Sequence, residues 1–321
     1  MTSYSGISDR RWTAADVPDL TGRTAVVTGA NAGIGFEIAR VLAEHGALVV
    51  LACRRAGKAD EAAERIRAQH PQARIATVAL DLASLAAVRA GADEIRASYG
   101  GLDLLINNAG VMEVPYERTV DGYELTLATN HLGHFALTGL VLDLLLARPG
   151  SRVVTMSSMA HHDGVLNVDD LHGERSYEPA AAYGQSKLAN LLFTYELDRR
   201  LRAAGARTSA LGCHPGVVFT DLFRHRSRLD QALLSPWLRV INFWAVQNVH
   251  KGALPALRAG TDPEARGGEY YGPHRKHDTG YPRAVRSSDR SHDEANQARL
   301  WEISEQLTGV RYVIPPQSVQ P

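Results

Sequence analysis

Tyr183 and Lys187 are the residues of this 321-residue chain whose types and spacing best suit proton transfer. On an α-helix, residues four apart lie one turn apart on the same face. A tyrosine hydroxyl ordinarily has a pKa of about 10, and we expect a lysine ammonium one turn away to lower that pKa by favouring the phenolate. The pair therefore predicts a phenol that exchanges a proton at about pH 7.

A glycine-rich turn lies near the N-terminus, at residues 28–35, and contains Gly29, Gly33 and Gly35. An apolar run at 24–27 precedes it and predicts a buried strand, whereas the apolar spacing that follows predicts a helix. Strand, glycine turn and helix are the context that a dinucleotide-binding fingerprint requires. The glycines let the backbone approach a pyrophosphate, and the helix N-terminus favours its charge.

Together, these two motifs resemble those of the short-chain dehydrogenase/reductase family, in its compact single-domain form. The glycine spacing is that of the compact members, and the resemblance covers roughly residues 20–272. Further family motifs appear in the expected order along the chain: Asp81-Leu82, Asn107-Asn108-Ala109-Gly110, Asn130, Ser157-Ser158 and Pro215-Gly216.

The loop at 159–179 is longer than in the most compact members of the family. With Ser157-Ser158-Met159-Ala160-His161 at its start, it resembles the retinol dehydrogenase branch. Several motifs are also similar to protochlorophyllide reductase. The resemblance implies hydride transfer between a nicotinamide ring and a carbonyl or alcohol carbon, with reduction of a conjugated carbon–carbon double bond as the alternative enzymatic reading. A non-catalytic NADP(H)-binding regulator is the third reading, although such proteins typically lose the Tyr or Lys that this chain keeps.

Four catalytic roles follow from the resemblance. Tyr183 acts as the general acid or base, and Ser158 hydrogen-bonds the reacting oxygen, with Ser157 as the competing serine. Lys187 lowers the tyrosine pKa and binds the nicotinamide ribose. Asn130 holds a water that links Lys187 to solvent, or it only distorts its helix by bonding to backbone.

Arg54 and Arg55 follow the second predicted strand, where an acidic residue would favour NAD(H). Guanidinium groups match phosphate in charge and geometry, so NADP(H) is the expected cofactor and NAD(H) is less favoured. By resemblance, the other cofactor contacts are expected at Gly29, Asn31, Gly33, Ile34, Gly35, Asp81, Leu82, Asn108, Ala109, Gly110, Tyr183, Lys187, Pro215, Gly216, Val218 and Thr220.

The chain alternates apolar runs with helical patterns, which predicts an α/β fold with a Rossmann-type, doubly wound parallel sheet of about seven strands and helices on both faces. One domain is expected, with an extension at 1–19 and a tail at 275–321. In the tail, a capping box from Ser291 to Glu294 predicts a helix start and Gly309 its end. Strands are predicted at 24–28, 48–53, 75–80, 102–107, 152–157, 208–214 and 268–272.

The composition excludes several classes of protein. Lys+Arg and Asp+Glu are equal at 35 each, which argues against a nucleic-acid-binding surface. Cys53 and Cys213 lie in apolar runs, so we expect buried free thiols and a cytoplasmic location. No secretory signal and no run of transmembrane length is visible. His161, His162 and His172 lack the spacing of a metal site and are expected to be solvated, whereas His131 and His134 are expected to pack.

Residues 217–246 are rich in large apolar side chains. The family places a substrate lid at this point, and a lid excludes water by closing over the substrate. The composition therefore favours a lipophilic small-molecule substrate. A subunit contact is an equal alternative, and the sequence leaves open whether the protein is a monomer or a homodimer.

Overall fold

The computed structural model describes residues 11–216, 248–275 and 279–316. Its strands are β1 (Thr24–Thr28), β2 (Leu48–Cys53), β3 (Arg74–Ala79), β4 (Leu104–Asn107), β5 (Arg152–Met156), β6 (Ser209–Cys213), β7 (Tyr270–Arg275) and β8 (Thr279–Ala284). They form one sheet in the order β3-β2-β1-β4-β5-β6-β7-β8. The first seven are parallel, and β8 pairs antiparallel with β7.

Helices connect the parallel strands, and a last helix follows β8 in the chain. They are α1 (Gly33–Glu44), α2 (Ala56–Gln69), α3 (Leu85–Ser98), α4 (Leu125–Leu127), α5 (Gly133–Leu140), α6 (Leu142–Leu146), α7 (Pro179–Ala203), α8 (Val249–Thr261) and α9 (Glu294–Thr308). A single π-helical turn, Ala128–Leu132, joins α4 to α5 without a break. Within the described residues, short 3₁₀ helices lie at Ala14–Asp16, Met159–His162, Val168–Asp170 and Asp289–His292.

Side chains that alternate along each strand supply the cores on both faces of the sheet. In β1, Ala25 and Val27 enter one core and Val26 enters the other. Helices α1, α2 and α8 cover the first core, whereas α3, α5 and α7 cover the second. Burial on both faces explains why the strands are almost continuously apolar, and it confirms the doubly wound α/β fold.

The edge of the sheet departs from the sequence-based prediction. All seven predicted strands are present with ends shifted by a few residues, but β8 adds a further strand within the segment expected to be a tail. Its sequence, Thr-Gly-Tyr-Pro-Arg-Ala, contains Pro282, and proline is tolerated at an edge because no further strand needs its missing N–H. That proline and the short length hide the strand from pattern reading.

The predicted capping box at Ser291 is wrong, although α9 does end at Gly309 as expected. The helix begins at Glu294, and its N-cap is Asp293, whose carboxylate accepts a hydrogen bond from the backbone N–H of Asn296. The Ser291 hydroxyl is instead buried and donates to the Ser288 carbonyl at 2.6 Å. Ser291 lies in the 3₁₀ helix Asp289–His292, so the cap of α9 falls two residues further along, at Asp293.

Helix α9 docks on α7 and α5 through Trp301, which is 2% exposed. The indole contacts Phe193 and Phe135, with ring centroids 5.9 Å and 5.2 Å away, and the Arg200 guanidinium lies 4.3 Å from its centroid on the outer side. The tail is therefore part of the second core.

We predict that Trp301→Ala lowers the free energy of unfolding by about 3–5 kcal/mol, because it leaves a large cavity in the second core. Urea unfolding followed by circular dichroism measures the change. Val313→Ala, at a side chain that is 77% exposed, serves as the control and should stay within about 0.5 kcal/mol of the wild type. A loss below about 1 kcal/mol for Trp301→Ala would contradict the docking.

Candidate active site

The glycine turn between β1 and α1 lies at the carboxyl end of the sheet. Gly29 and Gly33 have φ of +66° and +57°, the left-handed region that favours glycine. At Gly35, a Cβ would lie 2.5 Å from both the Asn108 Nδ2 and the Gly29 carbonyl oxygen. The start of α1 is therefore packed directly against the end of β4, and its N–H groups face the end of the sheet, as a phosphate site requires.

Thr28 joins the ends of β1 and β4. Its hydroxyl accepts the backbone N–H of Asn108 and of Ala109 at 2.9 and 3.0 Å. The ring of His134 lies 2.9 Å from the same hydroxyl and, on its other side, 3.0 Å from the Asn130 carbonyl. Since a carbonyl only accepts, His134 donates through Nδ1 and accepts from Thr28 through Nε2. The expected packing role of His134 thus includes a polar contact that the sequence did not reveal.

The π-helical turn carries Asn130, which is fully buried. Its Oδ1 accepts the Val111 N–H at 2.8 Å, while its Nδ2 donates to the Val111 carbonyl and to the Ser186 hydroxyl, both at 2.9 Å. A Cβ on Gly110 would lie 2.9 Å from Asn130 Oδ1. These bonds match one of the two roles expected for Asn130, that of a side chain that bonds to the backbone. The water relay, the other expected role, stays a prediction.

Tyr183 and Lys187 lie one turn apart on α7, and the Lys187 Nζ is 5.5 Å from the centroid of the Tyr183 ring. The expectation that Lys187 lowers the pKa of the Tyr183 hydroxyl is wrong in this structure. Burial raises the pKa of Tyr183 to about 12; a hydrogen bond with Ser158 lowers it, and the Glu113 carboxylate raises it. Burial also lowers the pKa of Lys187 to about 8. The lower pKa reduces the fraction of Lys187 that carries the positive charge expected to favour the phenolate.

The two serines of the Ser157-Ser158 pair have different partners. The buried Ser157 hydroxyl donates to the Lys187 carbonyl at 2.8 Å, a helix-packing contact. The half-buried Ser158 hydroxyl accepts the Ala160 N–H at 3.3 Å and is hydrogen-bonded to Tyr183. Only Ser158 of this pair has its hydroxyl at the tyrosine, which supports the choice made from the motif.

The residues expected to contact the adenosine half of the cofactor follow β2 and β3. Arg54 and Arg55 are exposed at the end of β2. Half-buried Asp81 accepts the Ala83 N–H at 3.0 Å, and Leu82 is buried beside it. The arginines are thus accessible to an anion, whereas Asp81 shapes its own turn.

The structure describes two further segments that are expected to face the cofactor. Asn31 and Ile34 are half-buried in the glycine turn. Gly216, after β6, has a φ of +71° and donates its N–H to His214 Nδ1 at 3.3 Å, next to half-buried Pro215. The predicted contacts Val218 and Thr220, like the whole of 217–246, lie outside the described residues.

The loop histidines do not behave as a group. His161 is fully buried, so the expectation that it is solvated is wrong, whereas His162 is exposed. His172 is half-buried and stacks on Tyr123, with ring centroids 5.3 Å apart. Among the described residues, no group of three or more His, Cys, Asp or Glu is arranged to hold a metal ion. Cys53 and Cys213 are buried free thiols, as expected.

The fold and this site define a family. The profile of short chain dehydrogenases matches residues 23–230, and the chain belongs to the short-chain dehydrogenase/reductase family of oxidoreductases. It is similar to retinol dehydrogenase 12 of Homo sapiens, with 41% identity over 295 residues that cover 91% of this chain and 88% of that protein. Retinol dehydrogenase 14 of Mus musculus is 37% identical over 321 residues, with 96% and 92% covered.

Solved structures agree with this family. An uncharacterised protein from Mycobacterium paratuberculosis superposes with a TM-score of 0.78 at 42% identity, covering 95% of this chain and 100% of that one. The Pseudomonas aeruginosa RhlG/NADP active-site complex has a TM-score of 0.61 at 27% identity, with 78% and 94% covered.

In the part of this chain that the structure describes, no helix combines the length and the apolar character needed to cross a bilayer.

We predict that the protein loses stability steeply as the pH falls below about 6.5. Burial lowers the pKa of His131 and His214 to about 3 and that of His134 and His161 to about 4. The unfolded chain therefore binds more protons in this window, and each histidine removes up to about 1.4 kcal/mol per pH unit.

Urea unfolding at a series of pH values between about 7.5 and 4.5 measures this slope. His131→Gln keeps a side-chain group that can hydrogen-bond the Ser304 hydroxyl, which lies 2.8 Å from the imidazole Nε2, and it should flatten the slope by one proton. Stability that is unchanged between pH 7 and pH 5 would show that these histidines titrate normally in the fold.

Proposed function

We propose that the protein is an NADP(H)-dependent oxidoreductase that interconverts a carbonyl group and an alcohol on a lipophilic small molecule. The observation that carries the proposal is the hydrogen bond between the hydroxyls of Ser158 and Tyr183, one helical turn from Lys187. Two hydroxyls that meet in this way present adjacent donors to one substrate oxygen. Membership of the oxidoreductase family supports the reaction class.

When bound, a nicotinamide cofactor would supply, in the reductive direction, a hydride to the carbonyl carbon. The carbonyl oxygen gains negative charge as that hydride arrives, and Ser158 stabilises the charge by donating a hydrogen bond. Tyr183 transfers its proton to the same oxygen, which yields the alcohol. In oxidation, the tyrosinate takes the proton back from the alcohol.

The raised pKa of Tyr183 suits its role as the acid. With a pKa of about 12, the phenol is protonated at neutral pH and ready to donate. Lys187, with its pKa lowered to about 8, is still mostly protonated at pH 7. Its ammonium becomes the stronger stabiliser once Tyr183 carries charge, because Coulomb attraction then acts in a buried site. Lys187 would return a proton to the tyrosinate, and a water held by Asn130, which is bound to Ser186, would replace the Lys187 proton from solvent.

Residues at the end of the sheet fit a dinucleotide. The tight turn at Gly29, Gly33 and Gly35 would hold the pyrophosphate, and Asn31 and Ile34 would line its path. Arg54 and Arg55 would bind the phosphate on the adenosine ribose, because they are exposed where that ribose is expected. The other proposed contacts are Asp81, Leu82, Asn108, Ala109, Gly110, Pro215, Gly216, Val218 and Thr220.

Two observations support the cofactor and the substrate class. RhlG, to which the chain is 27% identical, was solved as an NADP complex. Retinol dehydrogenases 12 and 14, which by name act on a long apolar alcohol, match at 41% and 37% identity. The apolar composition of 217–246 agrees with such a substrate, although that segment lies outside the described residues. Reduction of a conjugated carbon–carbon double bond uses the same cofactor and remains the alternative.

We predict that Tyr183→Phe lowers the turnover number by about 10²- to 10⁴-fold, because the ring stays while the transferable proton is lost. NADPH binding should stay within about twofold of the wild type. Turnover is followed by NADPH absorbance with all-trans-retinal and a panel of alkyl aldehydes. Tyr123→Phe is the matched control, since it removes a hydroxyl that bonds only the Leu307 carbonyl in α9. Near-normal turnover in Tyr183→Phe would remove this tyrosine from the mechanism.

We predict that Arg54→Asp raises the dissociation constant for NADPH at least about tenfold and changes that for NADH by less than about threefold, because an arginine–phosphate contact becomes a repulsion. Fluorescence titration of both cofactors measures this. Arg207→Asp makes the same change of charge at an exposed site beside the start of β6, at the opposite end of the sheet, and should alter neither constant. Equal affinity of the wild type for NADH and NADPH would contradict the choice of cofactor.

A further inference from the structure

His161 has two hydrogen bonds that connect distant parts of the chain. Its Nδ1 lies 2.6 Å from the Ser158 carbonyl oxygen, three residues back. Its Nε2 lies 3.0 Å from the backbone nitrogen of Ser288, 127 residues further along the chain. His161 therefore links the loop of the proposed catalytic serine to the segment that follows β8.

The partners determine the tautomer of this imidazole. A carbonyl oxygen only accepts and a backbone N–H only donates, so Nδ1 carries the proton and Nε2 accepts. The ring is neutral, and both of its nitrogens are satisfied in a buried place, where an unmade hydrogen bond is costly. Because both bonds lie in the plane of one rigid ring, they restrict the movement of the Ser158 carbonyl relative to the Ser288 N–H.

The surroundings support the same link. The His161 ring packs edge-on against Tyr270 of β7, with centroids 5.5 Å apart. Tyr270 in turn stacks on His214, at 5.3 Å, next to the Gly216 turn. Beside this stack, Arg290 donates to the Gly164 carbonyl at 3.0 Å. The segment after β8 thus contacts the serine loop at two separate points.

We propose that His161 is a positioning residue that fixes Ser158 by tying its carbonyl to the backbone of Ser288, so that the C-terminal segment completes the active site. This inference rests on the proposed role of Ser158. Ser158 stands at the N-cap of the 3₁₀ helix Met159–His162, with φ of −156°. A rotation of this cap would turn the hydroxyl away from Tyr183, and small misplacements of a catalytic group cost large factors in rate.

Position 288 offers a sharp test, because Ser288 has φ of −64°, the angle that proline imposes. Ser288→Pro therefore deletes the N–H that His161 accepts, and Ser288→Ala keeps it. At position 161, Gln can still accept from Ser288 but loses the side-chain bond to the Ser158 carbonyl, which keeps only the backbone N–H of residue 161, at 3.1 Å. Asn can still donate to that carbonyl but no longer accepts from Ser288. Turnover number, KM, NADPH dissociation constant and melting temperature are measured for the four variants and for Ser158→Ala.

We expect Ser288→Pro and His161→Gln to lower the turnover number about tenfold, as the loss of about one positioning hydrogen bond implies. His161→Asn also loses the Ser288 bond and should show a similar loss, whereas Ser288→Ala keeps both bonds and should stay within about threefold. NADPH binding should change less than about twofold in all variants. A merely structural role would lower the melting temperature without this split between matched variants, and such a result overturns the proposal.

The same experiment separates this inference from the proposed function. A large loss in Ser158→Ala together with wild-type turnover in Ser288→Pro and His161→Gln overturns the positioning role alone. Wild-type turnover in Ser158→Ala overturns the proposed role of Ser158, and the positioning role with it.

Discussion

The hydrogen bonds between the Asn130 side chain and the backbone of Val111 are the constraint on which the site depends. A side-chain amide here takes the place of a neighbouring strand, bonding both the N–H and the carbonyl of one residue. Its third bond, to Ser186, reaches the helix that carries Tyr183 and Lys187. One buried residue thereby fixes the spacing between the wall of the proposed cofactor site and the residues proposed to transfer the proton. The π-helical turn is the distortion that lets it do so.

The parallel sheet explains why these groups meet at all. The carboxyl ends of parallel strands share one edge of the sheet, so each loop that leaves a strand adds side chains to the same place. The C-terminal part of the chain packs against the elements that carry these side chains. Trp301 places α9 in the second core, and Ser288 holds the ring of His161. The C-terminal segment is therefore a structural part of the half of the molecule that carries the proposed active site.

The sequence predicts the sheet and the placement of the motifs well, because apolar periodicity and glycine turns are local signals. It fails where a long-range contact decides. Ser291 has the pattern of a helix cap but bonds into a buried cluster, and His161 has the pattern of a loop histidine but lies buried against Ser288. The pKa of Tyr183 rises because burial outweighs the lowering effect of Ser158, and spacing along a helix does not report burial. The choice between the adjacent serines Ser157 and Ser158 also depends on tertiary contacts. For His161, the Ser-Ser-Met-Ala-His run was the one signal in the sequence that could have drawn attention to it.

The most direct test of this account is to follow the hydride itself. NADPH carrying deuterium at nicotinamide C4 is incubated with the protein and all-trans-retinal, and the product is analysed by mass spectrometry and NMR. If the account is correct, retinol forms with one deuterium on the carbon that bears the hydroxyl, and Tyr183→Phe slows this transfer by about 10²- to 10⁴-fold. Deuterium on a carbon of the conjugated chain, or transfer that is undiminished in Tyr183→Phe, would contradict it.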